Sequence, residues 1–119
     1  MELIDNQYKI GGCNVLDICN EFETPLYVYD SEKIIEQYKK LISAFSKVNL
    51  KIKYALKANS NINILKLLLQ QGCGLDAVSI QEVEYGLKAG YSNKDILFTP
   101  NSVSFEEIKQ AVNYGVKIN

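Results

Sequence analysis

Lys57 closes the run Lys51-Ile52-Lys53-Tyr54-Ala55-Leu56, and Ala58, Asn59, Ser60 and Asn61 follow it. A lysine amine held at the mouth of an α/β domain can attack a carbonyl and form an imine. A carboxylate, Asp76, stands inside a second apolar run, Leu75-Asp76-Ala77-Val78-Ser79, with Glu82 shortly after it. Aspartate is a poor strand residue, so tertiary context must hold it there. The chain contains no histidine. That removes the commonest general base, the commonest metal ligand and any Ser–His or Cys–His pair. The three cysteines, Cys13, Cys19 and Cys73, include no Cys-x-x-Cys pair. They read as buried small side chains, not as a zinc site or a disulfide framework, and no metal is expected. Chemistry here falls to lysine, carboxylates, hydroxyls or a bound cofactor.

The elements that position these residues repeat. Residues 8–12 read as a short strand with a glycine turn, and Val15, Leu16, Cys19 and Phe22 recur at helical spacing. Thr24-Pro25-Leu26-Tyr27-Val28-Tyr29 reads as a strand, with proline at its start marking an edge. Asp30 or Ser31 caps a helix carrying Ile34, Ile35, Tyr38, Leu41, Ile42 and Phe45 on one face. Lys51–Leu56 is a strand, Asn61 caps the next helix, and Gly72 sits where a left-handed residue ends it. Leu75–Ser79 is a strand, and Glu82–Ala89 a helix with Val83, Leu87 and Tyr85 inward, stopped by Gly90. Ile96–Thr99 is a strand ended by Pro100. Ser104 and Glu107 form a capping box for a helix that buries Ile108, Ala111 and Val112, and a last strand begins at Val116. Strand then helix at a spacing of about 20–25 residues is the signature of a parallel α/β sheet. Right-handed crossovers place every strand's C-terminal end on one side, where loops carry sites.

Alternation puts Ile52, Tyr54 and Leu56 on one face of the first parallel strand and Lys51, Lys53, Ala55 and Lys57 on the other. Two readings follow. In one, the lysines form a solvated edge. In the other, the second face lines a barrel, Lys57 sits partly desolvated at its C-terminal rim, and Lys53 snorkels out at the bottom. Asp76 likewise is either a turn residue after Gly72-Cys73-Gly74 or an inward carboxylate within reach of Lys57. Ser79, Glu82 and Asn101 are weaker candidates. Glu82 serves equally as a helix-dipole residue, and Asn101 as a turn residue after Pro100.

The 119 residues, 47% hydrophobic and 23% charged with a net charge of −1, suit one modest soluble domain or part of a larger one. Lysines are scattered, which argues against a nucleic-acid surface. No long apolar run or basic–apolar leader is present, so a cytoplasmic protein with no membrane partner is expected. A four-stranded sheet ending here would leave two unpaired edges, which points to the front part of a longer sheet or barrel.

Tyr54-Ala55-Leu56-Lys57-Ala58-Asn59, followed by Ile64-Leu65, Leu68 and Gly72, resembles the cofactor-attachment signature of the ornithine/diaminopimelate/arginine decarboxylases. Thr24–Asp30 and Gly74–Glu82 extend the similarity over nearly the whole chain. The resemblance implies a fold-type III enzyme: a (β/α)8 TIM-type barrel with a C-terminal β-sandwich domain. Residues 1–29 would join that β domain, and residues 30–119 would hold the first strand–helix units of the barrel, with barrel strands from Lys51 onward. Lys57 would bind pyridoxal 5'-phosphate as a Schiff base, and Asp76 would be a cofactor-binding residue, with Asn59, Ser79, Glu82 and Asn101 near the site. The implied activity is decarboxylation of meso-2,6-diaminopimelate to L-lysine, by a homodimer. Ornithine, arginine or carboxynorspermidine are alternative substrates, and a silent binding homologue is an alternative class. The family's ring-stacking histidine, glycine-rich phosphate loop and substrate-binding residues do not occur in these residues. The 119-residue chain alone is therefore expected not to turn over.

Overall fold

The computed structural model describes residues 1–119, which divide into two compact units, Met1–Lys40 and Leu41–Asn119.

The first unit begins with an antiparallel sheet of three strands, β1 (Glu2–Ile4), β2 (Gln7–Ile10) and β3 (Cys13–Asn14), in the order β1-β2-β3. Leu3 pairs with Tyr8 and Ile10 with Cys13. Each connection is a two-residue turn with both φ angles positive, at Asp5-Asn6 (51° and 61°) and at Gly11-Gly12 (54° and 77°). Such turns match the twist of a hairpin, and Asp, Asn and Gly tolerate them best. The glycine turn was legible in the sequence; β1 and β3 were not, because three- and two-residue strands carry no alternation. Helix α1 (Val15–Phe22) is capped by Asn14, whose Oδ1 accepts from Leu16 N at 2.8 Å.

The expected strand at Thr24–Tyr29 does not form. The segment is non-helical but has no neighbouring strand to bond, and Tyr27 is 92% exposed. β-branched and aromatic composition favours a pleated surface only where a partner supplies one. Helix α2 (Ser31–Ala44) starts as expected, with Asp30 Oδ1 accepting from Lys33 N at 3.0 Å. None of its residues is fully buried; Ile34, Ile35, Tyr38 and Ile42 are half-buried, whereas Leu41 and Phe45 are exposed. Cys13 is exposed and Cys19 half-buried, so only Cys73 is the buried small side chain expected of all three.

In the second unit four parallel strands lie side by side in chain order: β4 (Lys53–Ala55), β5 (Gly74–Ala77), β6 (Ile96–Phe98) and β7 (Lys117–Ile118). Helices α3 (Ile62–Gln70), α4 (Ile80–Lys88) and α5 (Phe105–Tyr114) connect them. Their caps follow side-chain chemistry. Asn61 and Ser79 accept from backbone N–H groups at the starts of α3 and α4, and Ser104 and Glu107 make both bonds of a capping box. Ser104 N and Oγ both donate to Glu107 Oε2, which holds that carboxyl below its usual range. Gly72, Gly90 and Gly115 follow the helices with φ of 81°, 100° and 68°, a conformation glycine adopts without a side-chain clash.

Leu75, Ala77, Ile96 and Phe98 are fully buried and pack with Leu56, Leu65, Ile80, Val83, Tyr91 and Ala111. Two expectations about the helices fail at neighbouring positions. Tyr85 and Val112 are exposed, Val112 by 60%, because α4 and α5 turn small residues, Gly86 and Ala111, to the core. One residue is about 100° round a helix, so each large neighbour is carried off that face. At Gly86 a Cβ would come within 2.7 Å of Leu75 Cδ1.

Lys53 lies at the N-terminal end of the sheet, where its Nζ donates to Asp95 O at 2.8 Å. Burial lowers its pKa, and Lys117 adds to that. Its register partner is Gly74, where a Cβ would stand 2.7 Å from Asp95 O and 3.1 Å from Lys53 Nζ. The obstacle is backbone, which cannot swing aside. Gly74→Ala is therefore expected to destabilise the protein by about 1–3 kcal/mol, read as a lower urea midpoint at unchanged slope.

Candidate functional site

The register sorts the sheet into two faces. Tyr54, Leu75 and Ile96 form one row, and Ala55, Asp76, Leu97 and Lys117 form the next row on the opposite face. The first face is the buried one. On the second, Ala55, Asp76 and Leu97 are half-buried and Lys117 is exposed.

Past Ala55 the chain leaves the strand in a single 3-10 turn, Leu56–Ala58. Leu56 enters the core with 1% exposure, and Lys57 is exposed. The turn ends the strand's alternation at Ala55, before Lys57. The loop is nonetheless fixed. Tyr54 Oη donates to Asn59 O at 3.1 Å, and Asn59 Oδ1 accepts from Asn61 N at 2.9 Å. Lys57 thus rides on a loop held by a core leucine before it and two asparagines after it. Its Nζ has no hydrogen-bond or ion-pair partner.

Asp76 faces the same side of the sheet as Ala55, one strand over. It makes no ion pair with Lys57. Its Oδ1 instead accepts a hydrogen bond from Thr99 Oγ1, the residue just past β6. Ser79 and Glu82 gather at the end of β5, but both are engaged in starting α4. Ser79 Oγ accepts from Glu82 N at 3.2 Å, and Glu82 Oε2 accepts from Val78 N at 2.7 Å. Asn101, after β6, is exposed and accepts from Ser102 Oγ at 3.3 Å. Lys57, Asn59, Asp76, Ser79, Glu82 and Asn101 therefore all lie at or beyond the C-terminal ends of β4, β5 and β6. Thr99 belongs with them and was missed in the sequence, where it read only as the last residue of a strand.

A primary amine with no partner is free to bond covalently, and a carboxylate with one unoccupied oxygen stands on the adjacent strand. That donor set suits a cofactor carrying an aldehyde. A parallel α/β sheet with such a lysine at a strand end defines a class of α/β protein whose site is built at the carboxyl ends of its strands.

Residues 31–119 match the family described as pyridoxal-dependent decarboxylase, pyridoxal binding domain. A diaminopimelate decarboxylase of Methanothermobacter thermautotrophicus is 40% identical over 112 residues, which cover 92% of this chain and 26% of that protein. The crystal structure of diaminopimelate decarboxylase from M. jannaschii in complex with L-lysine superposes with a TM-score of 0.92 at 32% identity, over 99% of this chain and 29% of that one. That of lysine/ornithine decarboxylase from Vibrio vulnificus complexed with putrescine does so with a TM-score of 0.80 at 26% identity, over 86% and 28%. The chain belongs to the pyridoxal-dependent decarboxylase family, its residues 31–119 matching within the pyridoxal-binding domain, and the family's cofactor is pyridoxal phosphate. It spans about a quarter of the length of the curated relatives it matches.

Proposed function

We propose that this chain is the lysine-bearing portion of an enzyme that decarboxylates meso-2,6-diaminopimelate to L-lysine and CO2. The observation that carries the reading is the unpartnered Lys57 at the end of β4 in a pyridoxal-binding domain. Lys57 Nζ is the attachment atom, and Asp76, on the adjacent strand, is the carboxylate assigned to the same site. Bound pyridoxal phosphate supplies an electron sink for the pair left behind when CO2 departs. The chain's own contribution is placement. Leu56, Tyr54 and Asn59 fix the loop that presents Nζ, and Asp76 offers Oδ2 to a cationic group. Asn59, Ser79, Glu82 and Asn101 shape the surrounding strand-end loops. Relatives named diaminopimelate decarboxylase, one with L-lysine bound in its crystal structure, favour this substrate over ornithine, arginine or carboxynorspermidine.

The architecture proposed around it is a TIM-type (β/α)8 barrel, with β4–β7 as its first strands and the half-buried face of Ala55, Asp76 and Leu97 toward its interior. Four parallel strands in chain order support this. Residues 1–29 are assigned to a β-sandwich domain completed elsewhere. Their antiparallel pairing and the exposed Leu3, Tyr8, Leu16 and Phe22 support that assignment. Family likeness supports a cytoplasmic homodimer; no helix is long and apolar enough to cross a membrane.

CO2 release by the full-length protein with pyridoxal phosphate, measured in parallel on the four candidate substrates, tests the substrate. Release from meso-diaminopimelate with the highest kcat/KM is expected. Faster turnover of ornithine or arginine, or none of any, would overturn the assignment.

A further inference from the structure

We propose that Thr99 is a positioning residue, which sets the Asp76 carboxylate so that one oxygen is anchored and the other is left for the bound ligand. The inference rests on the assignment of Lys57 and Asp76 to the cofactor site.

Thr99 N donates to Ala77 O at 2.8 Å, extending the β5–β6 ladder one residue beyond the Ala77–Phe98 pair. Asp76 pairs with Leu97, and Thr99 is two residues further along the same face, a diagonal cross-strand neighbour. A β-branched side chain has few rotamers, so a backbone clamped in the ladder fixes where the hydroxyl points. That hydroxyl donates to Asp76 Oδ1, and no protein group bonds Oδ2. Without the bond, the carboxylate could rotate about its terminal torsion, which has broad minima, and Oδ2 would lose its fixed position. Threonine at this place thus joins two strand ends through a side chain, although its identity looks unremarkable in an apolar run ended by proline.

Thr99→Val keeps the shape and removes the donor; Thr99→Ser keeps the donor and removes a methyl group. In the full-length enzyme Thr99→Val is expected to lower kcat/KM for meso-diaminopimelate about tenfold or more, as befits a lost hydrogen bond to a charged group. It should also alter the visible spectrum of the bound cofactor while borohydride still fixes the cofactor to Lys57. Thr99→Ser should restore both readouts to near the unsubstituted values. A Thr99→Val enzyme with unchanged spectrum and unchanged kcat/KM would overturn the inference, as would equal impairment in the valine and serine variants. If valine prevents folding, Thr99→Ala against Thr99→Ser makes the same comparison. Failure of borohydride to fix the cofactor at Lys57 in the unsubstituted enzyme would overturn the underlying site assignment as well, so the two failures are distinguishable.

Discussion

Replacing Lys57 by alanine is expected to remove the covalent tie to pyridoxal phosphate and to lower kcat by at least about 10³-fold, the scale on which enzymes lose an essential nucleophile. The fold should survive. Lys57 is exposed and makes no ion pair or hydrogen bond, so its side chain supports nothing around it. Thermal unfolding of the cofactor-free Lys57→Ala protein should therefore match that of the unsubstituted protein, because exposed positions with no partners change stability by little. Loss of activity with a collapsed fold would point to a structural lysine. Retained activity would place the chemistry on another amine.

Phe98→Ala should give the largest loss of stability of any single change considered. Phe98 has 0% exposure and is among the largest fully buried side chains, in the middle of the row Ala77–Phe98–Ile118. Its removal takes away the transfer free energy of a ring and leaves a cavity, at a cost of about 3–5 kcal/mol. The consequence reaches the site, because Thr99 follows it directly and its N–H closes the same ladder. A urea titration that showed less than about 1 kcal/mol of destabilisation would mean that this core repacks freely, contrary to close-packed interiors.

The sequence is informative where one residue type has one structural use. Asn61 before an apolar helix, Ser104 with Glu107, and the glycines after α3 and α4 each report a backbone requirement met locally, and each is found as read. The parallel sheet is legible for the same reason, since repeated strand–helix spacing has few topological solutions. The failures concern contacts made at a distance. Thr24–Tyr29 has strand composition and no strand beside it. Tyr85 and Val112 are hydrophobic and exposed, because the smaller Gly86 and Ala111 take the core. Periodicity counts apolar residues and does not reveal which side of a helix the sheet approaches.

At the site, the type and rough place of Lys57 and Asp76 were readable, but not their relation. Alternation left Lys57 either on a solvated edge or at a barrel rim; a 3-10 turn ends that alternation before Lys57, which is exposed. Asp76 read as either a turn residue or a carboxylate within reach of Lys57; the carboxylate is bonded to Thr99, whose role depends on a diagonal register that only pairing reveals. Ser79 and Glu82 show the opposite case: residues that look chemical in the sequence are engaged in starting a helix.

Borohydride reduction of the full-length protein with pyridoxal phosphate, followed by proteolysis and mass analysis of the modified peptide, identifies the lysine that carries the cofactor. Attachment at Lys57 predicts one reduced pyridoxyl group, on the peptide containing Lys57, and none after Lys57→Ala. A stoichiometric label on Lys53 or any other lysine, with Lys57 unmodified, would contradict it.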